Sequence, residues 1–227
     1  MDEDNVIELI TENESNKARS AAGGEGDDEI RSWILADAEV ATQDAVAHGN
    51  THTVTGDAGQ DVLRLITLAY GFGGFSALAS GNTNSASGGE EDDGVTSALG
   101  AFAYSGDATV TGNSHRLLLD EGEDFLTSDL FATALSGNNA LASGNTLLAA
   151  GGEDNDEFEL RLDAMALYVR DAIASTATTS NNTLVARGGE GADAIGLEVT
   201  VNSTLGGIAT LTDKHGLGLR TAPGRTR

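Results

Sequence analysis

Gly23-Gly24-Glu25-Gly26-Asp27-Asp28-Glu29-Ile30 is the stretch on which the fold turns. It has the form G-G-x-G-x-D-x-U, with U a large apolar residue. Glycine-rich turns of this kind adopt backbone angles that other residues resist. They aim carbonyls and one carboxylate at a hard cation while the chain swings into a strand. The octet returns as Gly188-Gly189-Glu190-Gly191-Ala192-Asp193-Ala194-Ile195. Four degenerate copies begin at Gly56, Gly88, Leu119 and Gly151 and close on Asp61, Asp93, Asp124 and Asp156. From Asp28 to Asp193 the aspartates are 33, 32, 31, 32 and 37 residues apart. A fixed period in that range marks a repeat architecture.

Outward from each aspartate the pattern is that of a strand. Two, four and six residues on stand Ile30, Ser32, Ile34; Leu63, Leu65, Thr67; Val95, Ser97, Leu99; Leu126, Ser128, Leu130; Phe158, Leu160, Leu162; and Ile195, Leu197, Val199. Fourteen of these eighteen are large and apolar, and a period of two with one apolar face is a half-buried strand. Further along, the inward series shrinks to alanine, as where a coil narrows. Ahead of each following loop comes a turn, at Asn50, Asn82, Asn113, Asn145 and Asn182. Asparagine tolerates left-handed backbone angles, and stacked copies share amide hydrogen bonds as a ladder. Each repeat therefore reads as strand, bend, short strand, asparagine turn, strand, loop.

Composition agrees with a stack and not with a thick core: 30 of 227 residues are Gly, one is Pro, none is Cys and 4% are aromatic. In a repeat protein each rung buries a small face on its neighbours, so stability grows along the stack. The fold expected is all-β, a right-handed parallel β-solenoid of about six rungs plus a degenerate N-terminal cap rung, roughly 30 to 35 Å long at about 4.8 Å per rung. Residues 1–22 are the cap or degenerate rung, with Asp4-Asn5-Val6 laid on Asp28-Glu29-Ile30; an acidic disordered tail is the other reading. Residues 23–212 are the solenoid and 213–227 a basic tail. The fifth repeat carries an insertion within Tyr168 to Thr179, where an asymmetric feature is expected to protrude.

The formal charge is −24, from 36 acids and 12 bases. That disfavours nucleic acid and anionic membranes as partners, and no run of 18 apolar residues is present to insert in a bilayer. The six loop hexapeptides hold 18 of the 36 acids. Stacked at about 4.8 Å, neighbouring unit charges repel by about 0.9 kcal/mol even in water, so divalent cations are the natural neutralising partner. Met1-Asp2-Glu3-Asp4 lacks the basic and apolar regions of a Sec-type signal. An extracellular, cell-surface or virion setting would therefore need another export route.

Gly23 to Ile30 and Gly188 to Ile195 resemble the haemolysin-type calcium-binding repeat of RTX proteins. The resemblance implies Ca2+ held between turns of successive coils. It implies Asp28, Asp61, Asp93, Asp124, Asp156 and Asp193 as carboxylate ligands. Gly23, Gly26, Gly56, Gly59, Gly88, Gly151, Gly188 and Gly191 would be carbonyl donors or turn formers. Here one loop occurs per repeat, a single column on one edge, where the family has tandem nonapeptides. Leu119, Asp57, Glu91 and Asp154 replace glycines of the pattern, so the two outer loops are expected to bind best and the middle four less well.

Enzyme chemistry is not expected. His52 and His115 share the second place after the turn asparagine, with Asn84 between them. Their rings would lie about 9.6 Å apart, too far for one metal, and they read as solvated or stacking residues. Ser, His and Asp occur in no nucleophile-elbow context. The reading is a non-enzymatic, calcium-binding structural or binding module. The alternatives are a carbohydrate-binding or carbohydrate-active accessory module and a head-to-tail filament subunit. Trp33, Tyr70, Phe102 and Phe131 fall on the outward parity of successive long strands, as a strip for polysaccharide or as packing against a partner or the insertion. Self-association is expected through the solenoid ends, acidic at the start and basic at the finish.

Overall fold

The computed structural model describes residues 4–12, 15–38, 44–136, 139–167, 176–203, 208–212 and 218–220. The insertion at 168–175 and most of the basic tail lie outside them. Every described element is a strand, and every strand pairing is parallel. Three sheets wind around one another as a parallel β-solenoid.

The first sheet holds the long strands that follow the acidic loops. In spatial order they are β1 (Val6–Glu12), β3 (Glu29–Ala38), β6 (Val62–Gly71), β9 (Gly94–Ala103), β12 (Phe125–Leu135), β15 (Glu157–Leu167) and β18 (Ala194–Ser203). The second sheet holds short strands, β4 (Ala45–His48), β7 (Ala77–Ser80), β10 (Ala108–Thr111), β13 (Ala140–Ser143), β16 (Thr176–Ser180) and β19 (Ile208–Thr212). The third holds β2 (Ala18–Glu25), β5 (Thr51–Ala58), β8 (Thr83–Glu90), β11 (Ser114–Leu118), β14 (Thr146–Ala150), β17 (Thr183–Arg187) and β20 (Gly218–Arg220). Asparagine turns join the second sheet to the third, and acidic loops join the third back to the first.

Register keeps like over like. Ile30 pairs with Leu63, Leu63 with Val95, Val95 with Leu126 and Leu126 with Phe158. These rows are fully buried, as the alternation predicts. Further along the long strands the inward rows are alanines, and so are most inward places of the second sheet: Ala36, Ala69, Ala101, Ala45, Ala77 and Ala108 are all buried. Two sheets approach closely only where the side chains between them are small, so the alanines make one edge of the coil thin. Leu117, Leu147 and Leu184 are larger inward residues of the third sheet and are buried as well.

The first rung sits one residue away from the expected alignment. Val6 pairs with Glu29 and Ile7 with Ile30, so Asn5, and not Asp4, takes the place of Asp28. A slip of one residue exchanges the two faces of a strand. The observed register turns Ile7 and Leu9 toward the core and leaves Val6 and Ile10 exposed.

Candidate functional site

The acidic loops form one column along an edge of the solenoid. Their fourth place is left-handed in all six copies: Gly26, Gly59, Glu91, Gly122, Asp154 and Gly191 have φ between +76° and +144°. Glu91 and Asp154 thus accept a backbone that glycine adopts freely. The second place is left-handed only in the first three loops, at Gly24, Asp57 and Gly89. In those loops the preceding strand runs through the third loop place, whereas β11, β14 and β17 stop before the loop. The change falls where Leu119 and Asp120 replace both opening glycines. The backbone therefore divides the loops into a first three and a last three, a different partition from the two outer and four middle loops suggested by glycine content.

The sixth-place aspartates point inward. Asp28, Asp61, Asp93, Asp124 and Asp156 are all buried, Asp93 being the most exposed of them at 3%. Each Oδ1 accepts the backbone N–H of the equivalent residue one rung earlier. Asn5 donates to Asp28 at 2.6 Å, Asp28 to Asp61 at 2.7 Å, Asp61 to Asp93 at 2.8 Å and Asp93 to Asp124 at 2.7 Å. The bonds from Asp124 to Asp156 and from Asp156 to Asp193 lengthen to 3.2 Å. The other carboxylate oxygen, Oδ2, is buried without a hydrogen-bond partner in Asp28, Asp61, Asp93, Asp124 and Asp156. In Asp28, Asp61, Asp93 and Asp156 it lies against the first glycine of its own loop, so a methyl group on Gly23, Gly56, Gly88 or Gly151 would collide with it; Gly188 lies in the same way against Asp193 Oδ2, which accepts from the Gly189 N–H at 3.2 Å. At Gly23 and Gly56 the same methyl would also meet the first-place carbonyl of the next rung, Gly56 O and Gly88 O. Two acceptors thus share one space with no donor between them.

Asn5 shows what that space accepts. It occupies the same column one rung earlier, and its amide nitrogen donates to the Gly23 carbonyl at 3.4 Å. Where Asn5 offers a donor, the next five rungs offer a carboxylate oxygen. Burial, offset by the ladder bond and reinforced by neighbouring aspartates, pushes Asp93 up to about 7 and Asp61 and Asp124 up to about 6. Asp156 moves in the same direction for the same leading reason.

Outside this ladder, an open concavity of about 430 Å³ lies over the first loops, with the carboxylates of Asp4, Glu25, Asp27 and Glu91 on its lining. Gly26 and Gly59 line it too, and Gly59 packs against the Gly26 carbonyl so closely that no Cβ fits. Gly191 lies in the same way against the carbonyl of Asp154. A second ladder runs here: Asp27 Oδ1 accepts from the Gln60 N–H at 3.0 Å and Asp92 Oδ1 from the Glu123 N–H at 2.9 Å. Among the described residues, no three acidic or histidine side chains converge on one point. A cation in this column would therefore draw most of its ligands from backbone carbonyls, with one aspartate per rung. Hard cations take such oxygen donors, and the orphaned Oδ2 atoms beside carbonyls fit that need.

His52 and His115 are not solvated. His52 and His115 are fully buried inside the coil, in one column with Asn84 between them. A polar chain runs along the interior. Thr67 Oγ1 donates to Asn84 Oδ1 at 3.2 Å, and Asn84 Nδ2 donates to Ser97 Oγ at 3.3 Å. His115 Nδ1 lies 3.2 Å from Ser97 Oγ and 2.8 Å from Ser128 Oγ. Burial lowers His52 to about 4 and His115 to about 3. Thr67, Ser97 and Ser128, three of the four polar interruptions of the inward apolar series, were the signal for this chain in the sequence; the fourth, Ser32, has its Oγ buried without a hydrogen-bond partner, like both ring nitrogens of His52.

The outward aromatics do not form a single file. Trp33 pairs in register with Ile66, and Phe131 with Gly100. Tyr70 and Phe102 are neighbours in register, and Phe72 joins them, with ring centroids 5.9 to 6.4 Å apart. Searches of protein-family models, of curated proteins and of solved structures found no match to this chain.

Proposed function

We propose that this chain is a calcium-binding, non-enzymatic solenoid module of the RTX-like kind, whose ions neutralise the acidic column and fix the rungs. The observation that carries this reading is the row of five buried Oδ2 atoms without partners, two of them sharing their space with a first-place carbonyl. An ion there would supply the positive charge that two facing acceptors lack. Asp28, Asp61, Asp93, Asp124 and Asp156 would hold it with loop carbonyls, and Asp193 would serve the last loop. Each site filled at 100 times its dissociation constant would add about 2.7 kcal/mol of stability. Such a module suits an extracellular, cell-surface or virion setting.

The test is Asp93→Asn beside Asp93→Ala. Asparagine keeps the ladder acceptor and places a donor where Oδ2 stands, as Asn5 does at the head of the same column. Calorimetry is expected to show a lower calcium stoichiometry in both variants. In chelator Asp93→Asn should melt at or above wild type, and Asp93→Ala below it. Unchanged stoichiometry in both variants, or wild-type melting indifferent to calcium, would sink the reading.

Carbohydrate binding is the second reading, supported by the Tyr70, Phe72 and Phe102 cluster. It expects retention on a polysaccharide column that Tyr70→Ala abolishes while leaving the melting temperature in place.

A further inference from the structure

We propose that copies of this chain stack head to tail, the first rung of one on the last rung of the next. The strand edges make the two ends complementary. Among the described residues, no strand pairs with the outer side of β1, β2 or β4 at one end, or of β18, β19 or β20 at the other. Open edges of parallel sheets are templates for further pairing. The ladder donors all run in one sense, from each rung to the next in sequence. The two end faces are therefore unlike, which is the condition for a heterologous contact and not a two-fold one.

The core is also less covered at both ends. Ile195, Leu197, Val199 and Val201 of β18 are only partly buried, as are Ile7 and Leu9 of β1, while the same inward rows are buried from β3 to β15. Stacking β18 of one copy on β1 of another would cover both rows with apolar neighbours of the same parity.

Charge selects the ends over the sides. Residues 1–22 carry six acids and two bases, and residues 194–227 carry two acids and four bases. The stretch between them holds the remaining 28 acids and six bases. Side-by-side association brings two strongly negative flanks together, whereas the two terminal segments carry formal charges of only −4 and +2, of opposite sign. The partner this surface fits is a second copy of the same chain.

Sedimentation velocity and negative-stain electron microscopy of the full chain in millimolar calcium test this, at low salt and at about 0.5 M, where screening leaves a Debye length of about 4 Å. Glu12→Lys and Arg220→Glu are compared singly and together. The expected result is a graded series of rods at low salt that shortens at high salt. Each single reversal should weaken association by about tenfold, and the double reversal, which leaves the two terminal segments at net −2 and 0, should associate no better than Arg220→Glu alone. A monomer in every condition, a closed dimer, or a double variant that associates as well as the wild type would overturn the proposal. Because the readout is association, its failure is separable from failure of the calcium reading, which is scored on ion stoichiometry.

Discussion

Glu91 and Asp154 are the residues at which sequence and backbone disagree, since each stands with φ near +77° and +76° where four of the six loops have glycine. A left-handed residue other than glycine costs about 1–2 kcal/mol, and glycine returns about half of that through its greater freedom in the unfolded chain. Glu91→Gly is therefore expected to stabilise the solenoid by about 0.5–1 kcal/mol, read as a higher urea midpoint at unchanged slope. A lower midpoint would mean that the Glu91 side chain, which lines the acidic concavity with Asp4 and Glu25, contributes more than its backbone costs. The aspartates teach a related lesson at this scale. Their place in the octet was plain in the sequence, but their inward direction was not. An acidic residue in a turn reads as exposed until the ladder bond that draws it inside is seen.

At the scale of the element, the asparagine turn is the firmest joint of each rung. Asn113 Oδ1 accepts from the Asn82 N–H at 2.9 Å and from the Asn82 amide at 3.1 Å. Its own amide donates to the Ala79 carbonyl at 3.0 Å and to Asn145 Oδ1 at 2.9 Å. Asn113→Ala would leave the buried Asn82 N–H without its acceptor, at a cost of about 1–3 kcal/mol, and would remove the further bonds to the Ala79 carbonyl and to Asn145, each worth about 0.5–1.5 kcal/mol. A loss of about 2–5 kcal/mol by denaturant unfolding is expected, and a loss below 1 kcal/mol would show that the strands alone set the corner. The strands and both corners were legible because apolar alternation and recurrent Asn and Asp are local signals repeated at one period. The N-terminal alignment was not, since Asp4 and Asn5 are both plausible ladder residues and only the inward Ile7 and Leu9 decide between them. The class change at Leu119 and Asp120 was hidden too. It depends on how each loop pairs with the previous one, as in the 3.1 Å bond from the Glu121 N–H to the Gly89 carbonyl.

For the whole molecule, the buried titratable groups give opposite pH responses with and without calcium. Asp61, Asp93 and Asp124 are raised from 3.8 to about 6, 7 and 6, so their contribution is fully present below 3.8 and is lost as pH rises through those values. His52 and His115 are lowered from 6.5, so theirs is fully present above 6.5 and is lost as pH falls toward about 4 and 3. In chelator the melting temperature should fall between pH 6.5 and about 7.5, where only aspartates still titrate. With calcium holding the carboxylates charged, it should be level there and fall below 6.5. Scanning calorimetry in both buffers checks this, and a parallel pair of curves would deny that the ion and the aspartates are linked. The one-way sense of the ladders reaches beyond equilibrium to synthesis. Asp28 must wait for Asp61, and Asn50 for Asn82 at 3.0 Å, so no rung has its corner acceptors until the ribosome has made the next. Folding on the ribosome then trails translation by one repeat at every step, and the nascent chain always carries one unfinished coil at its growing end.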